Sequence, residues 1–234
     1  MNRKLLHFFA YVIFFLGVVL GFILAAVAIW NRTEAVSYFF SGAKYDPFPG
    51  LRCPVFMAPT EHGIVTADFK NPTNELDTFF YRAEISRVPS TRKLENQITV
   101  APHQTKSIQL SVSTQDVDLL YFIFVKMDIL PNAVHTSQEA VCGILLVNIL
   151  GLRGVPLATL AISLSFLGVA IGWALWQKTG VKADGNAQRV LQALGLIVLL
   201  AMFVGAMGWW LAGVALCAIA LLLLVISLRF LISE

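Results

Sequence analysis

The chain has 234 residues, 57% of them hydrophobic and 13% charged, with 17 basic residues against 14 acidic and a formal net charge of +3. A soluble domain carries about 25% charged residues, so this composition excludes an ordinary soluble protein. No dense Lys/Arg face interleaved with aromatics is present, and nucleic acid is not expected as a partner.

The apolar residues gather in one stretch near the N-terminus and three near the C-terminus, with a polar insert between them. This layout predicts a membrane protein of α+β class. Four transmembrane helices are expected, with an extracytoplasmic all-β sandwich inserted between helices 1 and 2. Residues 1–30 read as an N-terminal signal-anchor helix. Ala26-Val27-Ala28 would serve as a cleavage site, but the apolar run exceeds the ~7–15 residues of a signal-peptide core. Arg3 and Lys4 precede the run and place the N-terminus in the cytoplasm by the positive-inside rule.

Residues 31–154 read as the sandwich domain; 38–49, rich in aromatics, Pro and Gly, reads either as an interfacial linker or as an irregular first part of the domain. Val65, Ala67 and Phe69 alternate with Thr66, Asp68 and Lys70. Phe79, Tyr81, Ala83 and Ile85 alternate with Phe80, Arg82, Glu84 and Ser86. Ile98 and Val100, then Ile108, Leu110 and Val112, continue the period of two that marks half-buried strands. Asn71-Pro72-Thr73-Asn74, Ala101-Pro102-His103-Gln104 and Ser113-Thr114-Gln115-Asp116 supply the turns. Residues 119–129 are apolar at nearly every position, so both faces of that strand should be covered. Further strands are expected at 54–58 and 142–149. Seven short strands of this kind suggest an immunoglobulin-like or fibronectin-III-like sandwich, without the usual Cys…Trp…Cys spacing.

Residues 155–176 form the expected second transmembrane helix and 177–189 a cytoplasmic loop with Lys178, Lys182 and Arg189 against Asp184. The third helix covers 190–207. Residues 208–234 hold the fourth helix and a short cytoplasmic tail, after a Gly208-Trp209-Trp210 corner whose indoles suit an interface. Both termini are then cytoplasmic, and the β domain lies outside the cell membrane.

Cys53 and Cys142 bracket the sandwich on the predicted outer side, where an oxidising compartment permits a disulfide. The alternative is a pair of buried thiols. Cys217, in mid-span, is a small apolar residue. Cys53, Met57 and His62, with His103 or His135, are copper-ligand types, but their spacing fits no cupredoxin pattern and no metal is expected. No nucleophile elbow, phosphate-binding loop or other fixed catalytic context occurs. Glu61, Asp68, Glu84 and Asp128 are expected on solvated faces. Asn31-Arg32-Thr33 matches a glycosylation acceptor but abuts the membrane. Within spans the only ionisable residue is His7, near the start of the first, which argues against a pump or channel. The remaining polar span residues are expected to bond to a neighbouring turn of their own helix.

Gly17 and Gly21 in the first helix, and Gly168 and Gly172 in the second, are small residues four apart, a spacing that lets helix backbones approach closely. Ala201 and Gly205 are a weaker version. The two clear motifs predict that the helices bracketing the domain pack together. Four spans with both ends inside also describe claudin-like proteins, but the paired-cysteine, Trp-containing signature of their first outer loop is absent and that family is rejected.

The expected function is a non-catalytic accessory or structural subunit of a multi-protein membrane complex, not an enzyme, with no cofactor. Its partners are the lipid bilayer, other integral membrane subunits and an extracytoplasmic protein docked on the sandwich. Phe80, Phe122 and Phe124, on the less apolar faces of their strands, could form a docking patch, although residues so placed more often pack against the second sheet or a loop. The alternatives are a receptor signalling through a partner, an enzyme at the outer membrane face, or an oligomeric transporter.

Overall fold

The computed structural model describes residues 3–40, 46–131, 136–149, 151–179, 185–207 and 209–232. The protein is α+β; the described residues form four helices and two β-sheets, and a sandwich lies in sequence between the first helix and the second. It forms two compact units: Asn31–Leu157, and Met1–Trp30 together with Ala158–Glu234.

Helix α1 runs over Arg3–Tyr38. Neither Gly nor Pro occurs between Gly21 and Tyr38, so nothing stops the helix at Trp30. It continues into the region expected as domain and linker. Its 36 residues amount to about 54 Å at 1.5 Å per residue, well beyond a bilayer core of roughly 30 Å. The extra turns belong to the sandwich unit. Ala35 is fully buried with Phe124 and Val141, and the Asn31 amide donates to the Val55 carbonyl at 2.8 Å. Residues 41–45 of the expected linker lie outside the described residues.

Nine strands follow: β1 (Asp46–Pro47), β2 (Leu51–Arg52), β3 (Phe56–Met57), β4 (Gly63–Lys70), β5 (Asp77–Ile85), β6 (Arg92–Val100), β7 (Thr105–Val112), β8 (Phe122–Ile129) and β9 (Gln138–Leu146). The large sheet has the order β1-β9-β8-β5-β6, with β3 also on β9, and the small sheet is β2-β4-β7. The long strands pair antiparallel, while β1 and β3 join β9 in parallel. The chain crosses from the small sheet to the large one at Cys53-Pro54, where a proline removes no ladder donor. Alternation places Val65, Phe69, Phe79, Tyr81, Ile85, Ile123 and Met127 in one core between the sheets.

Several strand expectations change. Nine strands are described and not seven, because the two-residue strands β1 and β2 show no alternation, β3 covers only Phe56–Met57 of 54–58, and β9 runs over Gln138–Leu146 and not 142–149. β6 starts at Arg92 and not near Ile98, because its polar first half is held by cross-strand partners on β5. That half has no apolar alternation to announce it. Leu119, Leu120 and Tyr121 lie in a turn ahead of β8. The expected double-sided burial of β8 holds only around Phe124: Ile123, Val125 and Met127 face the sandwich core and Phe124 lies beneath the end of α1, while Lys126 and Asp128 on the outer face are only partly buried.

The other helices are α2 (Gly154–Thr179), α3 (Gly185–Ala206) and α4 (Trp210–Ile232). Three spans, Leu5–Tyr38, Gly154–Lys178 and Trp210–Ser227, are long and apolar enough to cross a membrane. They are compatible with a membrane protein. The apolar part of α3, Arg189–Gly205, is shorter. Within the helical unit, Ala10, Phe14 and Val18 of α1 pack with Val169 and Trp176 of α2, Leu194 and Val198 of α3, and Ala220 of α4. A second cluster joins Ala25, Ala201 and Cys217.

Candidate functional site

All four glycines of the expected packing motifs lie on one seam. A Cβ on Gly17 would sit 2.7 Å from the Val169 nitrogen and 2.8 Å from the Ser165 carbonyl oxygen. A Cβ on Gly168 would sit 2.9 Å from the Gly17 Cα, and one on Gly172 would sit 2.7 Å from the Phe14 Cα. These obstacles are backbone atoms, which cannot swing aside. The seam also contains a hydrogen bond that the spacing did not announce. Ser165 is fully buried, and its hydroxyl donates across to the Gly17 carbonyl of α1 at 2.8 Å, not to its own helix as expected. Gly21 makes room for it, since a Cβ there would stand 2.5 Å from Ser165 Oγ. Ser227 does follow the expectation, donating to Leu224 at 2.8 Å. The small-residue stripe of α1 continues past Gly21: Ala25 packs with Ala201, and a Cβ on Gly205 would meet Ala28 Cβ at 3.6 Å.

In the sandwich unit the root of α2 is held by a residue expected to be solvated. Glu61 Oε2 accepts from the Gly154 backbone N–H at 2.7 Å and from that of Ala58 at 3.1 Å. It therefore caps the first turn of α2 from 93 residues away. A carboxylate there satisfies an orphan donor and suits the positive end of the helix dipole. Gly154 itself lies against the Phe56 and Met57 backbone of β3, leaving no room for a Cβ. Cys53 and Cys142 are joined in a disulfide, tying the sheet-crossing point to β9. Closing a loop with a sequence separation of 89 restricts the unfolded chain by about 4–5 kcal/mol in the chain-entropy model.

The outer face of the large sheet carries a charged ladder. Register places Glu95, Arg82, Asp128 and Glu139 in one row and Lys93, Glu84 and Lys126 in the next. Arg82 pairs with Glu95 at 2.5 Å, Lys93 with Glu84 at 3.3 Å, and Lys126 with both Asp128 at 3.5 Å and Glu139 at 3.4 Å. Burial alone pushes Lys126 down, but Asp128 and Glu139 together outweigh it and hold its pKa above the ordinary value. Asp128 lies above the usual carboxylate range, first because it is desolvated and further because Glu139 and Glu84 are near, against the opposing pull of Lys126. Asp128 and Glu84 are thus part of a partly buried network and not freely solvated. Phe124, expected in an exposed patch, continues this face but is fully buried. It stacks on Tyr38 with ring centroids 4.6 Å apart. Phe122 is partly buried in the same cluster, which leaves Phe80 alone of the three well exposed.

The residues with metal-ligand chemistry do not converge. Cys53 is used in the disulfide, Met57 is in the core, and His103 bonds Asn74 at 2.7 Å. His135 lies outside the described residues. Among the described residues no group of three or more His, Cys, Asp or Glu could hold a metal ion. The Asn31 side chain is buried and turned to Val55.

The turn before β8 has an unusual backbone. Leu119 and Leu120 have φ of 45° and 70°, left-handed values that cost a β-carbon-bearing residue roughly 1–2 kcal/mol each. The turn is closed by paired backbone bonds between Asp118 and Phe122 at 2.7 and 3.1 Å. The Leu119 N–H donates to Asp118 Oδ1 at 2.7 Å, and the Tyr38 hydroxyl donates to Asp118 Oδ2 at 2.8 Å. Tight turns with two positive φ values favour Asn-Gly, so nothing in a Leu-Leu-Tyr sequence signals one.

No family model matches the chain, and no curated protein does. Solved structures are similar to part of it, among them the following three. A Paenibacillus sp. cycloisomaltooligosaccharide glucanotransferase in complex with cycloisomaltoheptaose matches with a TM-score of 0.34 and 15% identity, over 44% of this chain and 14% of that one. A Bacteroides uniformis β-glucuronidase matches with 0.31 and 13%, over 38% and 12%. The Bacteroides uniformis β-glucuronidase 2 bound covalently to cyclophellitol-6-carboxylate aziridine matches with 0.31 and 14%, over 41% and 12%. Only a small part of each of those chains is covered, and likenesses of this size carry no argument about activity.

Proposed function

We propose that this protein is a non-catalytic accessory or structural subunit of a multi-protein membrane complex. Its helices would pack among other integral membrane subunits, and its sandwich would dock an extracytoplasmic protein. The observation that supports this reading best is the use made of polar groups in both units. Ser165 joins two helices, Glu61 caps one, and the sheet-face charges pair with each other. In each case the polar chemistry holds structure and does not converge on a reacting centre.

On this reading α3 also spans the membrane, as the third of four spans. Its 22 residues amount to about 33 Å, close to the bilayer core of roughly 30 Å. In sequence, Arg3, Lys4, Lys178, Lys182, Arg189 and Arg229 stand next to span ends that would share one side if four spans alternate, which supports cytoplasmic termini. The disulfide suits an oxidising outer compartment for the sandwich. The strand order, with β2-β4-β7 facing β9-β8-β5-β6, supports an immunoglobulin-like or fibronectin-III-like type.

Gentle detergent extraction of the native protein, followed by sizing and mass spectrometry, tests the proposal. Co-migration at fixed stoichiometry with an unlike integral membrane protein is the expected result. Migration alone or as a homo-oligomer overturns it.

A further inference from the structure

The exposed apolar residues of the sandwich unit are unevenly distributed between its two ends. One end is formed where β5 and β9 finish, where β4, β6 and β8 start, and where β7 meets the 3-10 turn Thr114–Asp116. This is also the end where Glu61 holds Gly154, the first residue of α2. Ile64, Val88, Leu119, Leu120, Tyr121 and Ile149 are exposed there. The opposite end consists of the Asn71–Glu75 turn, the start of β5 and the His103 turn. Leu76 is exposed at that end, and Phe40, Phe80 and Leu94 are exposed elsewhere on the unit.

The most prominent of the six are in the strained turn: Leu119 is 55% exposed, Leu120 83% and Tyr121 60%. The turn is firmly built, since the Tyr121 carbonyl accepts from Leu146 at 2.7 Å in addition to the Asp118–Phe122 bonds. It also lies close to the root of α2. Gly154 abuts β3, β3 pairs with β9 through Met57 and Leu146, and Leu146 bonds Tyr121. Two strand spacings of about 4.8 Å separate β3 from β8. The turn is therefore roughly 10–15 Å from the point where the chain enters an apolar helix. An ordered turn that holds two leucines in an unfavourable backbone, with their side chains in water, is explained if those side chains have an apolar environment to enter.

We infer that the Leu119-Leu120-Tyr121 turn is a bilayer anchor, in which the leucines enter the outer boundary of the lipid and the Tyr121 ring lies among the headgroups. The inference rests on the membrane-spanning part of the proposed function. Lipid is the occupant because the turn is on the end of the sandwich from which an apolar helix leaves. The chemistry also fits, as leucine partitions into acyl chain and tyrosine into the headgroup belt.

The test uses the full-length chain in phosphatidylcholine vesicles, spin-labelled at Leu120→Cys, Leu76→Cys or Leu164→Cys in a Cys217→Ala background. Depth is read from collision with oxygen against a water-soluble nickel chelate. The expected result is lipid exposure at 164 and 120, with nickel collision at 120 several-fold lower than at 76. Lipid exposure at 164 with full nickel access at 120 overturns the anchor and leaves the spans intact. Low access of both reagents at 120 also overturns it, since the label would then be buried in protein. Water exposure at 164 overturns the spanning reading and the anchor together.

Discussion

In the sandwich unit the buried side chains of Asn71 and Ser86 are matched by backbone groups from distant parts of the sequence as well as nearby ones. The Asn71 amide bonds the carbonyls of Glu75 and Val100 at 2.7 and 3.0 Å. The Ser86 hydroxyl donates to the Asp116 carbonyl at 2.6 Å and accepts from the Phe124 N–H at 2.8 Å. In the helical unit one buried hydroxyl, Ser165, donates across the seam to Gly17, and the seam is otherwise closed by the absence of side chains at Gly17, Gly168 and Gly172. The difference is one of what each unit must exclude. A sheet leaves loops and edges whose donors need partners. Helices in an apolar medium gain little from apolar burial and associate through close van der Waals packing. The two units should therefore fail under different substitutions, and they can be followed separately. All five Trp residues lie in 1–30 or 158–234, so Trp fluorescence reports the helices and amide exchange in β5 and β8 reports the sandwich.

The largest expected effect is on the sandwich. Cys142→Ala should lower its stability by about 2–5 kcal/mol, seen as faster exchange in β5 and β8 while the Trp melting transition in detergent stays in place. Coincident loss of both signals would mean that the units unfold together. Gly168→Leu is the reciprocal change. Its side chain meets the Gly17 backbone, and overpacking of this kind costs roughly 1–3 kcal/mol or more. The Trp transition should fall and β-strand exchange should hold. Glu61→Ala removes the acceptor of the Gly154 and Ala58 N–H groups, with an expected loss of about 1–2 kcal/mol. That loss should appear as increased exchange at Gly154 and Ala58 before any change at the glycine seam.

Leu119→Asn with Leu120→Gly should act in the opposite direction. Both residues tolerate positive φ, so the sandwich should gain about 1 kcal/mol, measured as higher protection in β8. A loss would show that the leucines are needed for the fold.

The smallest effect concerns pH. The folded-state pKa of Asp128 is raised, so its ionisation opposes folding. Its favourable contribution is complete below the ordinary carboxylate range and is lost as pH rises through the raised value. Asp128→Asn should flatten that slope, raising the sandwich transition slightly at neutral pH and leaving it unchanged in acid. An unchanged slope would place the titrating group elsewhere on the ladder.

Much of the sandwich could be read from periodicity, because strands with one buried face alternate visibly. β4, β5 and β7 follow Val65, Phe79 and Leu110 and their partners two residues on. The first half of β6 shows no such alternation, since its residues are held by pairing with β5 and not by burial. The site residues divide in the same way. The glycines were visible because their spacing repeats with the helix. Ser165 and Glu61 were not, because each acts on a backbone group far away in sequence, and no local pattern encodes which carbonyl or N–H that will be.

The sequence by itself determined the division into apolar helices and a polar β insert, the close-packing positions on α1 and α2, and the cysteine pair available to bridge the insert. These follow from local composition, a period of 3.6 or 2, and the small size of glycine. Only the tertiary structure decided that α1 runs on to cover Phe124, that Glu61 caps α2, that the charges of β5, β6, β8 and β9 form one ladder, and that Leu119 and Leu120 take left-handed backbone. Each of these depends on which distant groups meet, and that is fixed by strand register and helix packing together.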